Sequence, residues 1–240
     1  MRAMLLPRTG RRTRSAAVAV AALFATPVAE FEEEARRQRP ALTGVIGHWS
    51  DTTAGTPAVV VNGEKWSGTT SKSEIENASR RLFGSVNDTF LSNMASATVF
   101  PIAVVPDVSS FSSGTLRVQF NLFGGKSDQN AGIMFGLQPT GEYFYLRYNT
   151  KDGNVAVWKY ANGDRAVLRH GDVHKQVPLG TWHELVVEIR GRQVRGYIAG
   201  DTTISVEHTL DMDPVGRVGV WVKRDAITGF RNYDASPQRQ

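Results

Sequence analysis

Five residues in the second half of the chain carry side chains suited to a polar ligand with flat apolar faces: Tyr145, Arg147, Trp158, Trp221 and Lys223. Aromatic rings offer stacking area, and arginine and lysine offer donors to hydroxyl groups. A saccharide needs that combination, and a dry protein interface does not. Each of the five lies in a run where side chains alternate with period two. Tyr145, Arg147 and Asn149 share one face of theirs; Arg217, Gly219, Trp221 and Lys223 oppose Val218, Val220 and Val222. The alternation predicts that the five converge on one sheet surface. The competing expectation is that the rings are half-buried sandwich residues with arginine stems packed over them.

Other constellations point less clearly to chemistry. Glu184 and Glu188 stand at i and i+4 on one strand, and extended backbone puts them roughly 13 Å apart. Glycosidase carboxylates need about 5 to 9.5 Å, so the pair reads as ordinary strand-face carboxylates. His170, Asp172 and His174 would share a face of an extended segment and have the donor types of a zinc site, but Gly171 favours a solvated turn there. His183 reads as structural and its neighbour Trp182 as core. No Gly-x-Ser-x-Gly elbow, phosphate loop or His-Glu-x-x-His motif is present. The chain has no cysteine, which excludes disulfides, thiol catalysis, thiolate metal sites and a lipidated cysteine. No metal and no cofactor are expected, and no catalytic residue is assigned.

The elements that must position the five residues are strands. From Thr98 onward short β-rich runs recur: 99–105, 115–123, 131–138, 143–149, 155–160, 165–169, 182–190, 193–199, 203–209, 217–223 and 227–233. Asp152-Gly153, Asn162-Gly163 and Gly200-Asp201 punctuate them with hairpin chemistry. On the run 115–123, Leu116, Val118, Phe120 and Leu122 point one way, while Arg117, Gln119 and Asn121 point the other. Two short helices precede most strands. Ile75, Ala78, Leu82 and Phe83 have helical spacing over 71–83, where Ser71 and Glu74 are set as a capping box. Phe90, Leu91 and Met94 do the same over 88–95, behind Asn87 as cap. The fold class expected is a mainly β, antiparallel jelly-roll sandwich spanning residues 44–235, with a tail over 236–240.

Charge locates the rest of the chain. The formal net charge of +5 comes from five arginines within residues 1–29, a stretch with no Asp or Glu; the remainder balances 23 basic against 23 acidic residues. A neutral domain lacks the field that nucleic-acid binding requires, so no nucleic-acid partner is expected. Residues 1–29 have the parts of a secretory signal: arginines, the apolar run Ser15–Ala25, and small residues at Pro27–Ala29. That run is shorter than the about 20 apolar residues a membrane span needs, so no transmembrane anchor is expected. Polar residues after Arg11-Arg12 favour the general secretory over the twin-arginine route. An alanine-rich helix of a cytoplasmic protein is the alternative. A charged linker follows over 30–43. The expected location is periplasmic or extracellular.

Trp182-His183-Glu184-Leu185-Val186-Val187-Glu188-Ile189, followed by Gly191 and Tyr197-Ile198-Ala199-Gly200, resembles the tryptophan-led hairpin of concanavalin A-like and laminin G-like jelly rolls. Gly216-Arg217-Val218-Gly219-Val220-Trp221 and Phe230-Arg231-Asn232-Tyr233 resemble their closing strands. With Asp128 to Arg147 added, the chain is most similar to the bacterial 3-keto-disaccharide hydrolase branch, also called domain of unknown function 1080. The resemblance covers roughly Thr98 to Tyr233 and implies architecture more than activity. Ala199 stands where that family's hairpin has an aspartate, and Arg231-Asn232 replace its paired aspartates. Calcium or carboxylate roles do not carry over to those positions. The Glu-x-Asp-x-x-Glu strand of the superfamily's glucanases is absent.

Three functions are therefore in view: an exported carbohydrate-binding protein without catalysis, a hydrolase of a modified (3-keto) glycoside, and a structural or assembly protein of the cell envelope. A carbohydrate ligand suits the aromatic and arginine positions best. Protein partners, oligomeric state and the particular sugar are not encoded in any pattern found.

Overall fold

The computed structural model describes residues 42–52, 58–63, 71–97 and 100–238. The expected signal segment 1–29, and the linker up to residue 41, lie outside these. Fourteen strands and two helices are described: β1 (Thr43–Ile46), β2 (Trp49–Thr52), β3 (Ala58–Asn62), α1 (Lys72–Phe83), α2 (Asp88–Ser96), β4 (Ile102–Val104), β5 (Gly114–Gly124), β6 (Asn130–Leu137), β7 (Tyr143–Asn149), β8 (Asn154–Ala161), β9 (Asp164–His170), β10 (Trp182–Arg190), β11 (Gln193–Ile198), β12 (Asp201–Thr209), β13 (Arg217–Trp221) and β14 (Ile227–Pro237).

The strands form two antiparallel seven-stranded sheets, one in the order β1-β4-β13-β6-β7-β8-β9 and the other β12-β11-β10-β5-β14-β3-β2. The expected jelly-roll sandwich is the fold. Two meanders, β6 to β9 and β10 to β12, supply one wing of each sheet. The last two strands are inserted centrally, β13 between β4 and β6, and β14 between β5 and β3.

Alternation decides what fills the space between the sheets. Leu116, Val118, Phe120 and Leu122 of β5, Leu185, Val187 and Ile189 of β10, and Val218 and Val220 of β13 are buried there in one cluster. Burying such side chains contributes about 1.5–3 kcal/mol each. The same parity corrects the reading of Trp182 as core. Leu185, Val187 and Ile189 turn inward, so His183 does too, with its ring 5.7 Å from Phe120. Trp182 lies on the outer face, half-buried, with the Arg231 guanidinium 4.0 Å from its ring centroid.

A second core sits on the outer face of the first sheet. Ile75, Ala78 and Leu82 of α1 and Phe90 and Met94 of α2 pack with Met134, Tyr143, Tyr145, Tyr160 and Trp221 from the strands beneath. Local sequence sets up both helices. The Ser71 hydroxyl accepts from the Glu74 N–H at 3.3 Å while the Ser71 N–H donates to the Glu74 carboxylate at 2.7 Å, which satisfies two of the donors a helix start leaves free. Asn87 accepts from the N–H groups of Thr89 and Phe90. The Tyr160 hydroxyl donates to the Asn93 carbonyl at 2.6 Å, and Asn93 donates to the Thr140 carbonyl at 2.8 Å, fastening α2 to β8 and the β6–β7 turn. Among the described residues no helix is long and apolar enough to cross a membrane.

Candidate functional site

Strand register brings four of the five expected residues together on the outer face of the first sheet. Trp221, Gly132, Arg147, Ala156 and His170 face one another across β13, β6, β7, β8 and β9. Met134, Tyr145, Trp158 and Val167 form the adjacent row. Bulky and small positions alternate, and the rings lie over the small ones. Tyr145 stacks on Trp221 with centroids 4.1 Å apart and on Trp158 at 6.0 Å, and Phe100 stacks on the far side of Trp221 at 5.5 Å. Gly132 permits this. A Cβ there would come within 2.8 Å of the Leu146 carbonyl and 3.2 Å of the Trp221 ring.

Two arginines border the rings. The Arg147 guanidinium is 5.4 Å from the Trp158 centroid and donates to Asp152 at 2.7 Å. Arg165 was not anticipated from sequence. Its guanidinium lies between Trp158 and Phe100, 4.7 and 5.3 Å from the two centroids. The signal was available: Asn162 and Gly163 both have positive φ, 53° and 78°, as a two-residue type I′ turn requires. That turn sets Tyr160 opposite Arg165.

The fifth residue, Lys223, lies just past β13. Its ammonium is 3.3 Å from Asp128, and its backbone N–H donates to the Asn130 side chain. The rim there is clamped by Asp225, whose carboxylate accepts from the N–H groups of Lys126, Ser127 and Asp128 at 2.8, 2.8 and 3.0 Å. Burial pushes the Asp225 carboxyl up, but these N–H groups together outweigh it and hold it below the usual range. For Lys223, burial lowers the pKa; Asp128 opposes this, and Arg165 and Arg224 add to it.

Exposure divides the cluster into floor and face. Tyr145 and Trp221 are fully buried and Arg147 is 5% exposed, whereas Trp158, Arg165 and Lys223 are half-buried and His170 is exposed. The outward direction expected for Trp221 is observed, and the α1–α2 layer with Phe100 is what encloses it. Buried polar groups cluster here: the Tyr143 hydroxyl is approached by the Trp221 indole and the Tyr145 hydroxyl by Arg165, while Trp158 Nε1 and Arg147 Nε have no hydrogen-bond acceptor among the described residues. Asp128 Oδ2 and Asn154 Oδ1 are unpartnered acceptors; Asn154 belongs to the next row toward Lys223. Burial pushes the Tyr145 hydroxyl up to about 12, with Arg165 and Arg147 pulling the other way.

The remaining candidates are separated. His170 stands edge-on to Trp158, Asp172 pairs with Arg169, and His174 meets the Asp152 carbonyl. Glu184 and Glu188 lie on the outer face of the second sheet, one beside Arg117 and the other accepting from Tyr197.

No protein-family model matches the chain, and no curated protein sequence does. Solved structures do. The carbohydrate-binding module CBM66 from Bacillus subtilis superposes with a TM-score of 0.55 at 16% identity, over 81% of this chain and 94% of that one. A Bacillus subtilis protein of unknown function with a galectin-like fold gives 0.48 at 10% identity, covering 80% and 86%. Bacillus licheniformis β-glucanase gives 0.41 at 12% identity, covering 58% and 71%. The likeness to the carbohydrate-binding module is one of fold, a two-sheet jelly-roll sandwich.

Proposed function

We propose that this is an exported, non-catalytic carbohydrate-binding protein, and that the saccharide is held on the outer face of the first sheet. Trp158 supplies the accessible stacking surface, Arg147, Arg165 and Lys223 supply donors, and Tyr145 and Trp221 form the floor. One observation carries this reading: the half-buried Trp158, at the edge of a three-ring stack, is bordered by the guanidinium groups of Arg147 and Arg165. The fold is one that a carbohydrate-binding module also uses.

The test is a glycan-array screen followed by calorimetry on Trp158→Ala. Loss of stacking should weaken binding by at least about tenfold with the fold intact; unchanged affinity removes Trp158 from the site. Hydrolysis of a modified 3-keto glycoside, the activity implied by the resemblance of the closing strands, is the alternative. It would have to employ Asp128 or Asp152, carboxylates already paired with Lys223 and Arg147. Turnover of 3-keto glycosides abolished by Asp152→Asn would establish it.

A further inference from the structure

Arg165 differs from the other cations at the site in having no carboxylate. Arg147 pairs with Asp152, Lys223 with Asp128, and Arg224 approaches the same Asp128 at 3.9 Å. Among the described residues Arg165 forms no ion pair, and its polar neighbour is the neutral Tyr145 hydroxyl. Its guanidinium is nevertheless fixed in place, between the rings of Trp158 and Phe100. Trp158 Nε1 beside it has no acceptor among the described residues, and the Arg165 charge acts on both Tyr145 and Lys223.

A neutral sugar hydroxyl can accept from a guanidinium but leaves its charge without a counter-charge. An oxyanion is acceptor-only and matches the planar fork of a guanidinium with two parallel hydrogen bonds. Aromatic walls exclude water from the pair and strengthen it.

We infer that the saccharide bound here carries a negatively charged group, a carboxylate or a sulfate, and that this group pairs with Arg165. The inference rests on the carbohydrate reading of the same site and names the class of sugar.

Calorimetry on the full chain tests it with two matched pairs of probes: oligogalacturonate against its methyl ester, and a sulfated galactan oligosaccharide against its desulfated form. One charged probe should bind about tenfold or more tightly than its neutral counterpart, and which pair responds tells carboxylate from sulfate. Raising the salt should weaken the charged probe and leave the neutral one unchanged. Arg165→Gln should abolish the preference; a melting curve checks its fold, and the salt series on the unaltered protein tests the pairing without any variant. Equal affinity for charged and neutral forms overturns the inference and leaves the carbohydrate reading standing. Binding to none of these, nor to any saccharide on the array, overturns both.

Discussion

The Trp221 indole lies 4.1 Å from the Tyr145 ring at an interplanar angle of 20°, and the residue between their strands is glycine. The sheet thus carries a stacked pair flat against its backbone, where a side chain at position 132 would hold the indole away. Gly132→Ala should therefore displace Trp221 and destabilise the protein by about 1–3 kcal/mol, as read by urea denaturation.

The two tryptophans of the cluster should behave differently when truncated. Trp221 is fully buried, and its replacement by alanine should cost about 3–5 kcal/mol. Trp158 is half-buried, so Trp158→Ala should cost about 1–2 kcal/mol, less than the full cavity value. Equal losses in thermal or urea melts would mean that Trp158 is as much a core residue as Trp221 and has no free face for a ligand.

Alkali should reveal how the tyrosines are held. All six, Tyr143, Tyr145, Tyr148, Tyr160, Tyr197 and Tyr233, have pKa values raised above 10.0, with burial the leading cause in each. A raised folded-state pKa means that the unfolded chain loses the proton first, so stability is intact below pH 10 and declines as pH climbs toward the folded values. Absorbance at the phenolate wavelength should show little ionisation near pH 10 and then a cooperative rise with unfolding. An ordinary titration centred at pH 10 for all six would contradict the burial of Tyr143, Tyr145 and Tyr160 in the second core.

Asp225 is expected to govern the rim beside Lys223. Asp225→Asn replaces one accepting oxygen with a donor facing backbone N–H groups and should cost about 1–2 kcal/mol. Its lowered pKa gives stability that is present above the ordinary aspartate value and lost as pH falls through the folded one. An acid-denaturation midpoint that moves to higher pH in the variant would bear this out; coincident curves would leave the clamp without energetic weight.

Processing of the N-terminus can be read directly. Mass spectrometry of protein recovered from periplasm or medium should give a chain starting near Glu30, and a cytoplasmic product retaining Met1 would sink the export proposal.

Much of this was legible from periodicity. Both helices with their caps, the β5 and β13 parities and the β7–β9 hairpins follow from spacing and turn residues alone. β1, β2 and β3 escaped notice because segments of four or five residues do not repeat a pattern long enough to read. Trp182 was misplaced by residue type, although Leu185, Val187 and Ile189 fix its parity. The enclosure of Trp221 had no local signal. Which sheet face an amphipathic helix pair covers depends on contacts such as Tyr160 to Asn93, 67 positions apart.

The central placement of β13 and β14 bears on timing. β4 cannot reach β6, nor β3 reach β5, except through strands formed by residues 217–237. Neither sheet can therefore close before residues 217–237 have left the ribosome, and pairings of such long sequence separation form slowly. Until then only the sequential hairpins of the two meanders can pair, so the sandwich comes together in a late, single closing step.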